Sequence, residues 1–330
     1  MSREKNKYAN AINIFFNGVG MYFKHLDTFL KYLAFPVLGQ IVGIIVIFSI
    51  TYFYTVNIAN LTSQFLVLDN VLTAFSILLL FTLPAFFIFC KALYDYLIAM
   101  AALNSMANNL SAKGKNKVLD TKVHSELIRR RAFYYIILLF VLSFVYLIGI
   151  LPVFWVLLVA FFVYSSLSLQ VFTMEENSGP INAIKRSFVL VKNNFWATTM
   201  LLLLLFGLTY VLLPNVISWS LDKISFVYYA AEPVEKFVSL LPLSEVNMFF
   251  KNYHIPYELD SYELARQFVL SLVAFAVISF TLPIRSCVCT LWYKHLDDEK
   301  IEENRKATKL DGRVELKKIV KKSTRKTKEE

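Results

Sequence analysis

Arg285 is a charge set inside an apolar run, two residues past Pro283 and ahead of Ser286–Tyr293. An arginine at the centre of a membrane helix costs about 2.5–3.5 kcal/mol, and less near a helix end. Two arrangements offset that cost. The guanidinium can hold an anionic headgroup or substrate, or it can snorkel to water on its alkyl stem. Arg129, Arg130 and Arg131 form a second basic group, directly before the apolar run that starts at Ala132. They can anchor the chain on one side of a bilayer or select anionic phospholipid headgroups, at about 1 kcal/mol per charge. Glu175, Glu176 and Ser187 make a third group. Paired carboxylates perform acid–base chemistry when their pKa values split. Neighbours on one turn rarely converge on one atom, so the expected role is capping or pairing with Lys185 and Arg186. Cys90, Cys287 and Cys289 offer no zinc framework, because no further Cys or His stands at ligand spacing. The histidines His25, His124, His254 and His295 form no cluster and read as surface or interface residues. Metalloprotease, lipase, P-loop and dinucleotide motifs are absent from the sequence. No catalytic residue, cofactor or metal is therefore expected.

The elements that would position these residues are apolar and long. The chain has 330 residues, 57% of them hydrophobic. Six runs stand out: Leu33–Val56, Val71–Cys90, Ala132–Ile150, Val153–Val171, Phe195–Ile217 and Phe268–Ile284, the last continuing as helix to about 290. A hydrocarbon core of about 30 Å needs roughly 20 helical residues. Backbone groups in lipid must bond within their own segment, so the fold class predicted is an all-α polytopic membrane bundle. Threading the runs with both termini on one side leaves Lys223, Lys236, Lys251 and Arg266 as the four exceptions among 34 Lys and Arg. The positive-inside rule makes the rich side cytoplasmic. The formal charge of +10 then reports orientation rather than nucleic-acid binding.

Between the runs, two stretches have helical amphipathic spacing. The first carries Tyr8, Ile12, Phe15, Phe16, Val19, Tyr22, Phe23 and Leu26 on one face; the second carries Ile181, Ile184, Phe188, Val191 and Phe195. They read as helices in the inner interface, and the spacing of the first suits a cytosolic helix packed on protein equally well. The predicted organisation is an N-terminus with interfacial helix over 1–30, a six-span domain over 31–296 and a basic cytoplasmic tail over 297–330. Within it, the outer segment 218–266 reads as short helices on the outer leaflet or a lid over the bundle. Asp260-Ser-Tyr-Glu263 has capping-box spacing and should start the sixth span.

The tetrapeptide FTLP occurs at Phe81–Pro84 and Phe280–Pro283. At the same offset Cys90 meets Cys289, Tyr94 meets Tyr293 and Leu97 meets Leu296. Asn10-Ala-Ile12 likewise pairs with Asn182-Ala-Ile184, and Phe16, Val19 and Phe23 pair with Phe188, Val191 and Phe195. This predicts a parallel internal repeat of amphipathic helix and span pair around a central hairpin. Pro84 and Pro283 would kink matched helices, framing a central cavity or serving packing alone.

The stretch Glu175–Trp196 contains Glu175, Glu176, Gly179, Pro180, Ala183, Ser187 and Leu190, then an aromatic residue, with Glu176 and Gly179 at E-x-x-G spacing. It resembles the E-x-x-G, A-x-x-x-S-x-x-L, aromatic signature of the bacterial glycerophosphoryl diester phosphodiesterase membrane domain and related uncharacterised six-span families. Leu291-Trp-Tyr-Lys-His-Leu resembles the Tyr-containing end of their last helix. The resemblance implies a bacterial inner-membrane domain over roughly residues 8–300. No phosphodiesterase domain fits in this chain, so that activity is not implied. The expected function is a non-enzymatic, lipid-associated or partner-supporting membrane protein. The alternatives are a carrier of an anionic or lipid substrate, using Arg285, and an intramembrane lipid enzyme. The expected partners are the bilayer, its anionic phospholipid headgroups and a membrane protein, and no nucleic acid.

Overall fold

The computed structural model describes residues 2–54, 56, 71–112, 120–149, 151, 154–175, 178–302 and 305. Glu176, the loop 57–70, the 113–119 connection and the tail 306–330 lie outside the described residues. In chain order the helices are α1 (Ser2–Lys24), α2 (Leu26–Phe53), α3 (Val71–Ser111), α4 (Thr121–Arg130), α5 (Ala132–Gly149), α6 (Trp155–Ser165) and α7 (Ser168–Met174). They are followed by α8 (Pro180–Val191), α9 (Phe195–Phe206), α10 (Leu213–Lys223), α11 (Phe226–Val238), α12 (Leu243–Asn252), α13 (Ser261–Phe280) and α14 (282–302). No strand occurs among the described residues. Five helical stretches are long and apolar enough to cross a membrane, and α4 with α5, bent by 75°, makes a sixth.

The breaks have local causes. A π-turn over Gly207–Leu212 joins α9 to α10 just ahead of Pro214. Proline cannot donate to the carbonyl four residues back, and a widened turn carries the ladder past it. At Thr281 the last long helix breaks before Pro283, and the Ile284 N–H bonds to Thr281 O instead of Phe280 O. The freed Phe280 carbonyl accepts the Tyr22 hydroxyl at 3.1 Å. Burial pushes the Tyr22 phenol up to about 12, so it remains a donor at any physiological pH. Asp260 caps α13 as the sequence predicts, accepting the Glu263 N–H at 3.1 Å.

Two clusters of polar contacts define the ends of the bundle. One end gathers the contacts of Lys7 with Asn193, Arg129 with Asp95, Arg186 with Asp297 and Lys294 with Ser111. This basic end also holds the densest core, built from α1, α3, α7, α8 and α14 around Ala99, Leu103, Val171, Ala183 and Trp292. The other end is covered by α11, packed on α13 through Val227, Ala231, Ala265 and Val269. Helix α12 buries no residue and exposes Met248 and Phe249. Within the segment 218–266, α11 packs on α13 and α12 packs with no buried residue of its own.

Several expectations are revised. The buried face of α1 is Ala11, Phe15 and Tyr22, packed within the core, while Tyr8, Ile12, Phe16 and Phe23 are exposed. Helix α8 buries Ala183, Ser187, Leu190 and Val191 and exposes Ile181. On each helix a small residue, Ala11 on α1 and Ala183 with Ser187 on α8, joins the larger ones in the buried face, because close helix contact needs small side chains and lipid accepts the apolar ones left outside. Pro84 sits on the exposed side of an unbroken α3, whereas Pro283 is buried at a break. Tyr94 is exposed beside Lys91, and Tyr293 is buried. The residues paired by the repeat thus occupy different environments. Residues 297–302, assigned to the tail from sequence, continue α14.

Three glycines set helix separation. A Cβ on Gly18 would come within 2.8 Å of the Val288 Cα, and one on Gly43 within 3.1 Å of the Phe89 Cα. A Cβ on Gly39 would meet that of Ala92 at 2.8 Å. Gly39-Gln-Ile-Val-Gly43 is thus a G-x-x-x-G face holding α2 on α3. Gly20 has open space around it. Gly18→Ala is expected to lower thermal stability in detergent by about 1–3 kcal/mol, the cost of overpacking against backbone. Gly20→Ala on the same helix should leave it unchanged or slightly raised; equal losses in the two would remove close packing as the cause.

Candidate functional site

The predicted residues fall into three places. Glu175, Gly179, Pro180, Ser187 and Tyr293 come together at the basic end as a clasp. Gly179 caps α8 in an extended conformation, and Pro180 occupies its first turn. The Ser187 hydroxyl donates to Tyr164 O at 2.6 Å and accepts the Leu167 N–H at 3.2 Å, fixing the break between α6 and α7. Tyr293 donates to Glu175 Oε1 at 3.0 Å. Arg186 reaches the same oxygen at 3.4 Å and Asp297 Oδ1 at 2.6 Å. The carboxylate of Glu175 is therefore engaged by a tyrosine and an arginine. These contacts join α7, α8 and α14, and the pairing with Arg186 is the one expected from sequence.

The three consecutive arginines separate. Arg131 donates to Phe172 O at 2.9 Å and to Ser178 O at 2.7 Å, and its guanidinium lies 4.2 Å over the Phe172 ring. It staples the end of α7 and the turn after it, where terminal carbonyls need donors. Arg129 pairs with Asp95 on α3 at 3.2 Å, and Asp95 also holds Lys91 at 2.7 Å. Arg130 is largely exposed and pairs weakly with Glu126 at 3.5 Å. Beside α4 lies a cavity of about 790 Å³ lined by Tyr32, Lys122, Ser125, Glu126, Arg129 and Arg130, among others. The 75° bend at Arg131 directs Arg129 and Arg130 to this cavity and Arg131 into the protein. His124 is an interface residue, its Nδ1 2.9 Å from Ser105 Oγ.

Arg285 occupies the third place. It lies half-buried in the first turn and a half after the Thr281 break. The hydroxyls of Tyr96 on α3, and of Tyr135 and Tyr146 on α5, lie within its electrostatic reach. Tyr210 in the π-turn interacts with Tyr96 and extends the group. Its guanidinium leans back toward the Cys289 sulfur, one helical turn on. Among the described residues no carboxylate forms an ion pair with Arg285. The Tyr135 hydroxyl is buried without a hydrogen-bond partner among the described residues, and the Ser279 hydroxyl lies against that of Tyr96. An arginine and one orphaned hydroxyl thus stand in one part of the bundle. Together they offer donors suited to an anion.

A family model matches residues 55–300 and is described as a protein of unknown function, DUF975. The chain belongs to the DUF975 family. No curated protein and no solved structure matches it. DUF975 is an uncharacterised family, and the link to glycerophosphoryl diester phosphodiesterase membrane domains suggested by the Glu175–Trp196 motif does not accompany the match. The matched part of this DUF975 chain contains the clasp, the three arginines and Arg285 with its tyrosines; α1 and α2 precede it.

Sequence reasoning missed Asp297, Asp95 and the tyrosines, which come from distant segments with no shared spacing. Arg131→Ala in this DUF975 protein is expected to lose about 1.5–3 kcal/mol of stability, since two charge-assisted bonds to carbonyls are removed. Arg130→Ala should stay within about 0.5 kcal/mol of wild type. Thermal unfolding of the purified proteins in detergent checks both, and an equal effect would show that the three arginines act as one surface group.

Proposed function

We propose that this chain is a lipid-associated, non-enzymatic membrane protein that holds an anionic group at Arg285. The observation that carries the reading is the missing counterion. Charged side chains within membrane segments pair with one another, with backbone carbonyls or with a ligand. Arg285 has three tyrosines in electrostatic reach, one of them, Tyr135, with an unsatisfied buried hydroxyl, and no carboxylate paired with it among the described residues. A phosphate of a lipid headgroup supplies the charge and the acceptors at once. Arg129, Arg130 and Lys122 around the α4 cavity would favour anionic headgroups at the same end of the bundle. The basic end would then face the cytoplasm of a bacterial inner membrane. Exposed Trp219, Tyr228, Tyr229, Tyr253 and Tyr257 at the opposite end suit the other interface. A cysteine replacing Lys122 should resist impermeant reagents in intact cells, and labelling from outside would reverse this orientation.

A second reading is a carrier. The break at Thr281 lies four residues before Arg285 and the π-turn at Gly207–Leu212 packs on α13, and such irregularities are where a helix can hinge. The parallel repeat belongs with this reading. Its support is the shared element order and the similar caps before the two spans, His25 (φ −118°, ψ 23°) and Asn194 (φ −129°, ψ 26°).

An uncompensated charge has a distinctive signature. Arg285→Gln is expected to raise the melting temperature in lipid-free neutral detergent, since no partner is lost. In wild type, a short-chain phosphatidylglycerol should raise it by several degrees, as binding linkage requires, and phosphatidylcholine should not. The variant should lose that response. A drop in the variant's own stability with the lipid response intact would make Arg285 structural. Lipid movement between leaflets of proteoliposomes that depends on Arg285 would favour the carrier.

A further inference from the structure

The lid end contains a cavity of about 870 Å³ between α2, α11 and α13, and none of the Arg285 group lines it. Its walls include Ile41, Phe48 and Tyr52 on α2 and Leu264 and Ala276 on α13. Leu264 and Ala276 are twelve residues apart, which is about 18 Å along a helix. That length is close to half of a hydrocarbon core of about 30 Å, the depth occupied by the acyl chains of one leaflet. The slot is graded along its length. Its deep end, at Ile41 and Ala276, is wholly apolar. Its mouth, where α2 ends, brings in Ser49, Tyr52 and Lys236.

Lys236 is the one charged side chain among the lining residues. It forms no ion pair among the described residues, although acids are the more common charge on this side of the chain. Arg266, by contrast, is held by Asp222 at 3.6 Å and by Glu263 at 3.5 Å. The slot is a built feature of the fold rather than a gap between loosely placed helices. Phe48 meets Phe237 edge-on at 4.9 Å and Phe268 at 5.2 Å, so one ring ties α2 to both other walls. Ser261 Oγ donates to Glu235 at 3.2 Å and fixes α11 over the start of α13. The lid pair α11–α12 is bounded by Ser225 (φ 59°) and His254 (φ 54°), two non-glycine residues in the left-handed region. Such positions persist where surrounding packing over-determines them.

We infer that this cavity is a binding site for one anionic glycerophospholipid of the leaflet at the lid end, with an acyl chain in the slot and the phosphate at Lys236. The occupant follows from the combination of leaflet depth, apolar depth and a lone cation at the mouth. A lipid of no net charge brings either no phosphate or its own cation beside the phosphate, so an anionic headgroup is the one that leaves its charge to Lys236. The inference goes beyond the Arg285 site and stands on separate residues.

Native mass spectrometry of the full chain, released from nanodiscs of mixed phosphatidylglycerol and phosphatidylethanolamine, tests it. Wild type is expected to retain a phosphatidylglycerol adduct. Lys236→Gln, a change at an exposed side chain, should lower retention of the anionic lipid about fivefold relative to the neutral one. Ala276→Phe, which fills the deep end, should remove the adduct. If Ala276→Phe does not fold, Ala230→Leu on the α11 wall serves in its place. The adduct assigned to this site should persist in Arg285→Gln, which separates failure here from failure at Arg285. Retention of both lipids alike in wild type and Lys236→Gln, a fatty acid adduct in place of the phospholipid, or a second copy of the chain in place of lipid would each overturn the inference.

Discussion

Close approach of helices at small residues is the constraint on which this structure depends. Lipid tails are as apolar as leucine, so burial of apolar area does not by itself draw membrane helices together. What remains is dispersion contact and polar bonding, and both need short distances. Gly39 and Gly43 bring α2 onto Phe89 and Ala92, and Gly18 brings α1 onto Val288. The consequence is a core rich in alanine, serine and threonine on α3, α7 and α14, with large residues such as Phe87, Phe133 and Val156 outside. Trp292, fully within this core, illustrates how polar handles are handled there, its Nε1 donating to Thr198 at 3.0 Å.

That inversion explains what was legible in the sequence. The six apolar runs, their helical nature and the capping by Asp260 could be read directly, because length, hydropathy and cap chemistry are local. The buried faces were legible only in part. On α8, spacing pointed to Ile181, Ile184, Phe188, Val191 and Phe195; Val191 is buried and Ile184, Phe188 and Phe195 pack on the protein, but Ile181 is exposed and Ala183, Ser187 and Leu190 share the contact. An amphipathic rule written for water assigns the largest apolar residues to the core, and in lipid they can face outward. One signal was available and passed over: Gly39-x-x-x-Gly43 has the spacing of a close-packed helix face.

The candidate sites show the same division. Arg285 was readable as a charge out of place. Its tyrosines were not, since Tyr96, Tyr135 and Tyr146 are brought together by tertiary packing of α3, α5 and α14. The Glu175–Ser187 motif was readable as a unit, and its meaning lies in the clasp. Ser187 fixes a helix break, Arg131 satisfies the carbonyls before the turn, and Glu175 meets Tyr293 and Arg186. A motif of this kind specifies how α7, α8 and α14 join. The clasp secures the part of α14 that follows Arg285, and the Tyr22 bond to Phe280 secures the break that precedes it. Arg285 thus lies between two secured points and forms no ion pair with a carboxylate among the described residues, which is what the proposed anion site rests on.

The most direct test of that claim is an electron cryomicroscopy map of the protein in nanodiscs containing phosphatidylglycerol. The account predicts anion density within hydrogen-bonding distance of the Arg285 guanidinium, bordered by Tyr135 and Ser279. A guanidinium paired with a carboxylate of the chain, or turned to bulk water with no density beside it, would contradict it.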